Sequence, residues 1–99
     1  MIGLEPVAPL SIPKFPLGEI VITLGAATRV ERNALKSALH RHLCGDWGEL
    51  DLEDWRLNDE RMQSGGTIIS IYKDSRGVKF YIITEADRSV TTILLPAEY

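Results

Sequence analysis

The sequence predicts an α+β fold: a single domain of order β-α-α-β-β-β, whose antiparallel sheet ends in a three-strand meander and is covered by two helices. Three observations predict it. The last third, from Thr67 to Tyr99, holds three β-rich runs separated by two short charged turns. Residues 30–43 carry apolar side chains at three- and four-residue spacings, the stripe of an amphipathic helix. The chain has 99 residues, enough for one core and one domain.

Each element has a local reason. Residues 1–16 contain Pro6, Pro9, Pro13 and Pro16, and proline removes a donor and disfavours helix before it. This stretch reads as an extended arm, with residues 17–99 as the domain. Glu19–Leu24 (EIVITL) is rich in β-branched residues and reads as the first strand, ended by Gly25. Thr28 and Glu31 fit a capping box at a helix start. Val30, Ala34, Leu35, Ala38, Leu39 and Leu43 form the stripe of that helix, and Gly45 is its stop.

Asp51 then fits the N-cap of a second helix, with Glu53 and Asp54 in its first turn, where the dipole favours acids. Ser64-Gly65-Gly66 ends it. The strands Thr67–Lys73, Val78–Thr84 and Val90–Leu95 follow. Their short connections predict antiparallel pairing. Neither strand face is cleanly polar, so helices are expected over one face and the proline-rich arm over the other.

Composition bounds the function. The net charge is −3, which disfavours a broad nucleic-acid surface. No apolar run approaches the roughly 20 residues of a membrane span. No basic segment followed by an apolar run opens the chain, so no signal peptide is expected. Cys44 is the sole cysteine and forms no internal disulfide. A cytoplasmic location is expected, without a membrane partner. Charge is unevenly spread: Arg29, Arg32, Lys36 and Arg41 precede an acidic run holding Asp46, Glu49, Asp51, Glu53, Asp54, Asp59 and Glu60. Two solvated helix faces that attract each other explain this; so does a bipolar docking surface.

Several residues could carry chemistry. His40, His42, Cys44 and Asp46 alternate, yet residues two apart on a helix point about 200° apart. Only His40 and Cys44 share a face, so no metal site and no cofactor is expected. Cys44 at a helix C-terminus is badly placed for thiolate activation. A metal-free ribonuclease site could combine His42 with Arg88, Thr91 and Thr92, which would supply proton transfer and phosphate stabilisation. Trp47 and Trp55 suit either a stacking surface or core closure. The turn Glu85-Ala86-Asp87-Arg88-Ser89 carries two acids and a base where Asn-Gly would suffice. An internal acid–Arg88 ion pair is its simplest account; recognition is the other.

The words HLCGDWGEL, LNDERMQSGGTIISIY and YIITEADRSVTTILLPAEY resemble a group of small bacterial proteins carried on plasmids and integrative elements, often called plasmid-related proteins. Some of these are labelled a type I restriction subunit. The resemblance spans about residues 17–99, and it rests on His42, Gly45, Asp46, Trp47, Gly48, Asn58, Gly65, Gly66, Thr84, Glu85, Asp87, Arg88, Thr91 and Thr92. It implies carriage on a mobile element and supplies no activity. A methyltransferase needs a far larger doubly wound sheet than 99 residues can build. The sequence therefore favours a non-enzymatic binding or regulatory module acting through a protein partner, with Asp46, Trp47, Glu85, Asp87 and Arg88 at the contact. The ribonuclease-like domain is the alternative, and the oligomeric state stays open.

Overall fold

The structure, a computed structural model, describes residues 13–99. Among these residues it is a single α+β domain of three helices and one four-stranded sheet. In chain order the elements are β1 (Glu19–Ile22), α1 (Leu24–Arg29), α2 (Arg32–Leu43), α3 (Leu52–Ser64), β2 (Ile68–Lys73), β3 (Lys79–Thr84) and β4 (Val90–Leu94), closed by a 3-10 turn at Pro96–Glu98. No helix among the described residues is long and apolar enough to cross a membrane.

The expected meander is present: β2 pairs with β3, and β3 with β4, both antiparallel. The sheet as a whole is mixed rather than antiparallel. β1 lies beside β4 and runs parallel to it, so the strand order is β1-β4-β3-β2. The chain reaches β4 from β1 only after every other element, and a connection of that length is what a parallel pair of neighbours requires.

The two predicted helices are three. Leu24, expected in the first strand, opens α1, and Thr23 caps it by accepting from the Ala26 amide at 3.1 Å. Thr28 is inside this helix, with its hydroxyl on the Leu24 and Gly25 carbonyls. The Thr28–Glu31 capping box is therefore not formed. The chain turns extended at Val30 and Glu31, and α2 starts at Arg32.

The start of α2 is capped from the β2–β3 turn. The buried Asp74 carboxylate accepts from the Glu31 amide at 3.2 Å. In return the Glu31 carboxylate accepts from the Ser75 amide at 3.1 Å and from its hydroxyl at 2.7 Å. Burial pushes the Asp74 carboxyl up, but the Val78, Glu31 and Arg76 amides outweigh it and hold the group below its usual range. At α3 the expected cap is found: Asp51 accepts from the Asp54 amide at 2.8 Å, and Gly65 ends the helix at φ 97°.

The helices cover the face of the sheet carrying Ile68, Ser70, Tyr72, Phe80, Ile82, Thr84, Thr91 and Ile93. One buried cluster joins Ala26, Val30 and Ala38 to Tyr72, Phe80, Ile82 and Ile93. A second joins Phe15, Trp47 and Ile68. Burying the valine, isoleucine and phenylalanine side chains among these contributes roughly 2 kcal/mol each. Phe15 belongs to the expected arm, whose residues 1–12 lie outside the described residues. It packs on the helix side rather than on the opposite face, and Lys14 ties to the Leu43 carbonyl at 2.9 Å. On the opposite face Tyr99, after the C-terminal turn, packs edge-on against Tyr81.

Candidate functional site

Four side chains from four elements form a continuous buried polar chain. Thr91 (β4) donates to the Leu17 carbonyl at 2.7 Å. Its own oxygen meets Thr84 (β3) at 2.7 Å, Thr84 meets His42 Nε2 (α2) at 2.9 Å, and His42 Nδ1 meets Ser70 (β2) at 2.5 Å. The carbonyl at the end fixes every proton. Thr91 must donate to it, so Thr84 donates to Thr91 and His42 Nε2–H donates to Thr84. The neutral ring then accepts the Ser70 hydroxyl at Nδ1. All four side chains are buried, His42 at 0% exposure. Burial, with help from the Arg88 charge, pushes the imidazole down to about 3. His42 is thus neutral at pH 7, enclosed between Phe15 and Trp47, whose rings meet it edge-on.

Arg88 lies behind the same Phe15 ring, its guanidinium 5.6 Å from the ring centroid. Its donors reach five backbone carbonyls: Arg61, Met62 and Gly66 at the end of α3, and Glu85 and Ala86 in its own turn. A cation at a helix C-terminus meets the negative end of the dipole. To reach it, Arg88 adopts φ 63°, the left-handed region that costs a non-glycine residue about 1 kcal/mol or more. The expected acid–Arg88 ion pair is replaced by this latch between turn and helix. Asp87 instead holds Ser89, accepting from its hydroxyl and its amide at 2.6 and 2.9 Å. Glu85 stays exposed in the turn.

The other candidates are placed as follows. Asp46 takes a two-pronged hydrogen bond from Arg41 at 2.8 and 3.2 Å and one from the Gly48 amide. The Arg41 contact, first of all, holds its carboxyl below the usual range. Trp47 is fully buried, and its Nε1 donates to Asp59 at 2.9 Å. Thr92 points to the face of the sheet opposite Thr91, as neighbours on a strand must, and lines a groove with Glu85, Ile83 and Tyr99. His42, Arg88 and Thr91 are thus brought together within one packed region, and Thr92 is not. Cys44 Sγ lies 3.9 Å from His40 Nε2. Among the described residues no three His, Cys, Asp or Glu side chains converge as metal ligands would.

The sheet edges are more informative than the buried chain. The outer edge of β2 is closed. The Ile71 amide donates to the Trp47 carbonyl at 3.2 Å, and the Ile71 carbonyl accepts from Glu49 at 2.7 Å. This close approach needs Gly48, because a Cβ there would collide with the Ile71 carbonyl oxygen. The Asn58 side chain serves Ile69 in the same way. Its Nδ2 donates to the Ile69 carbonyl at 2.6 Å, and its Oδ1 accepts from the Ile69 amide at 3.3 Å.

Among the described residues the β1 edge is open. Ile20, Val21 and Ile22 are 46%, 39% and 42% exposed. The Glu19 and Thr23 amides donate inward, to Ser89 and Ile93 of the β4 side. Strand alternation turns the backbone groups of Ile20 and Ile22 outward. Beside this edge, on the helix side, runs a groove of about 490 Å³ lined by Ile22, Ala27, Val30, Leu35, Arg32 and Lys36. The run Ile20-Val21-Ile22 was visible in the sequence as strand; what could not be seen was that nothing among the described residues covers it.

Comparison with protein-family models, with curated proteins and with solved structures finds no match.

Proposed function

We propose that this chain is a non-enzymatic binding module that acts through a protein partner, and that the partner adds a strand to the open edge of β1. The observation that carries this reading is the contrast between the two edges. β2 is closed by four hydrogen bonds from Trp47, Glu49 and Asn58, whereas among the described residues nothing pairs with the outer backbone groups of β1, and its apolar side chains are exposed. Exposed edges of this kind template pairing with another chain unless they are blunted, and strand addition is a common recognition mode. The reading moves the contact to β1, away from Asp46, Trp47, Asp87 and Arg88, whose groups serve internal contacts, and away from the exposed Glu85. Carriage on a mobile element, implied by the resemblance, is part of the same reading.

Enzymatic use of His42 would need its ring within hydrogen-bond reach of a substrate. Both ring nitrogens already have partners inside the core. The test places a photo-crosslinking amino acid at position 21 in the host cell, with position 52 on α3 as control. A specific protein adduct from position 21 and none from position 52 supports the reading. No adduct, together with RNA cleavage by the purified chain that His42→Ala abolishes, would replace it with the ribonuclease alternative.

A further inference from the structure

We infer that the strand received at this edge is β1 of a second copy of the chain. The inference rests on the proposed docking role of β1 and names its occupant. The strand is self-complementary in one antiparallel register, with a two-fold axis through Val21. In that register Ile20 lies opposite Ile22 of the partner, and Ile22 opposite its Ile20. These are the two residues whose backbone groups face outward, so each opposed pair exchanges both hydrogen bonds, as antiparallel geometry requires. Val21 meets its symmetry mate across the axis as a non-hydrogen-bonded pair, where side chains come closest.

At the flank, the Thr23 hydroxyl donates to the Glu98 carboxylate at 2.6 Å. Glu19 lies opposite Thr23 of the partner, so the two Glu19 carboxylates do not oppose each other. Registers centred on Ile20 or Ile22 would each leave one outward-facing isoleucine less fully paired. The interior of the strand carries no lysine, proline or bulge that would discourage pairing. On each copy the far edge is closed by Trp47, Glu49 and Asn58. Assembly therefore stops at two copies, as an isologous interface demands. The product is one continuous sheet built from two four-stranded sheets, with Ile20 and Ile22 beside the groove of Leu35 and Ala27.

Sedimentation of the full chain between about 10 μM and 1 mM, the range suited to a small interface, should show the average mass rising toward twice that of the chain. Val21→Lys, which opposes two charges across the axis, should hold it at the single-chain mass, and Leu52→Lys should not. In a Cys44→Ser background, Val21→Cys should form an intermolecular disulfide on mild oxidation, since non-hydrogen-bonded partners meet its distance requirement of about 4.4–6.8 Å between Cα atoms. Ile20→Cys, offset from its mate, should form far less. A single-chain mass at every concentration with no Val21→Cys disulfide overturns the inference. The position-21 crosslink then separates the two failures. An adduct with a different protein removes self-pairing and keeps β1 as the docking strand; no adduct removes both.

Discussion

Asn58 on α3 holds Ile69 on β2 through both its amide groups, donating at 2.6 Å and accepting at 3.3 Å. One side chain thereby takes the place of a neighbouring strand. Asn58→Ala should cost about 2 kcal/mol, since two backbone groups at a largely buried position lose their partners. Asn58→Asp should cost more, because a carboxylate cannot donate to the Ile69 carbonyl. Urea unfolding of the two variants measures both losses and their order.

Gly48 lets the Trp47–Glu49 segment lie against Ile71. Its φ of 76° and the nearness of the Ile71 carbonyl and the Tyr72 ring leave no room for a side chain. Gly48→Ala should therefore destabilise by at least about 2 kcal/mol, combining left-handed strain with a displaced contact. Gly77→Ala, also at positive φ but with open space around it, should cost less. The difference in thermal midpoint between these two variants reports the packing contribution.

His42 sets a pH dependence of stability. Its folded value of about 3 lies below the ordinary 6.5, so the unfolded chain binds the proton more tightly. The stabilisation is complete above pH 6.5 and is lost as pH falls from there toward 3. The loss by pH 3 is on the order of 4 kcal/mol. In His42→Gln the whole curve should be lower at pH 7, with this descent between pH 6.5 and 4 flattened. Denaturation midpoints across that range, for both proteins, give the result.

Arg88 acts on this titration and on the turn. Arg88→Lys keeps the charge but cannot reach five carbonyls with one ammonium group. A loss of about 1–2 kcal/mol is expected, with faster amide exchange at Gly66 and in residues 85–89. Arg88→Ala should also raise the His42 value, because a nearby positive charge disfavours the imidazolium. Imidazole chemical shifts followed by NMR would detect that rise.

Much of the architecture was legible in the residues. The alternation in TIISIYK and VKFYIIT marks the meander, and Asp51 marks the start of α3. The direction of β1 was not legible, because it depends on a closure between residues 19–22 and 90–93 that no local pattern encodes. α1 was hidden by its brevity and its glycine, LGAATR being too short for a periodic signal. The buried polar chain did leave a trace. Ser70, Thr84 and Thr91 are polar residues at positions that alternate with the open face, and a covered polar position needs a partner, here His42. The edge closure left none, because any asparagine on a helix reads as surface until the strand beside it is known.

The most direct test of the account is amide hydrogen exchange at the two edges. Ile69 and Ile71 should exchange slowly at every concentration, held by Asn58 and Trp47. Ile20 and Ile22 should exchange fast in dilute solution and slow down as the chain is concentrated. Equal protection of Ile20 and Ile22 in dilute and concentrated samples would contradict an open edge that closes on a second strand.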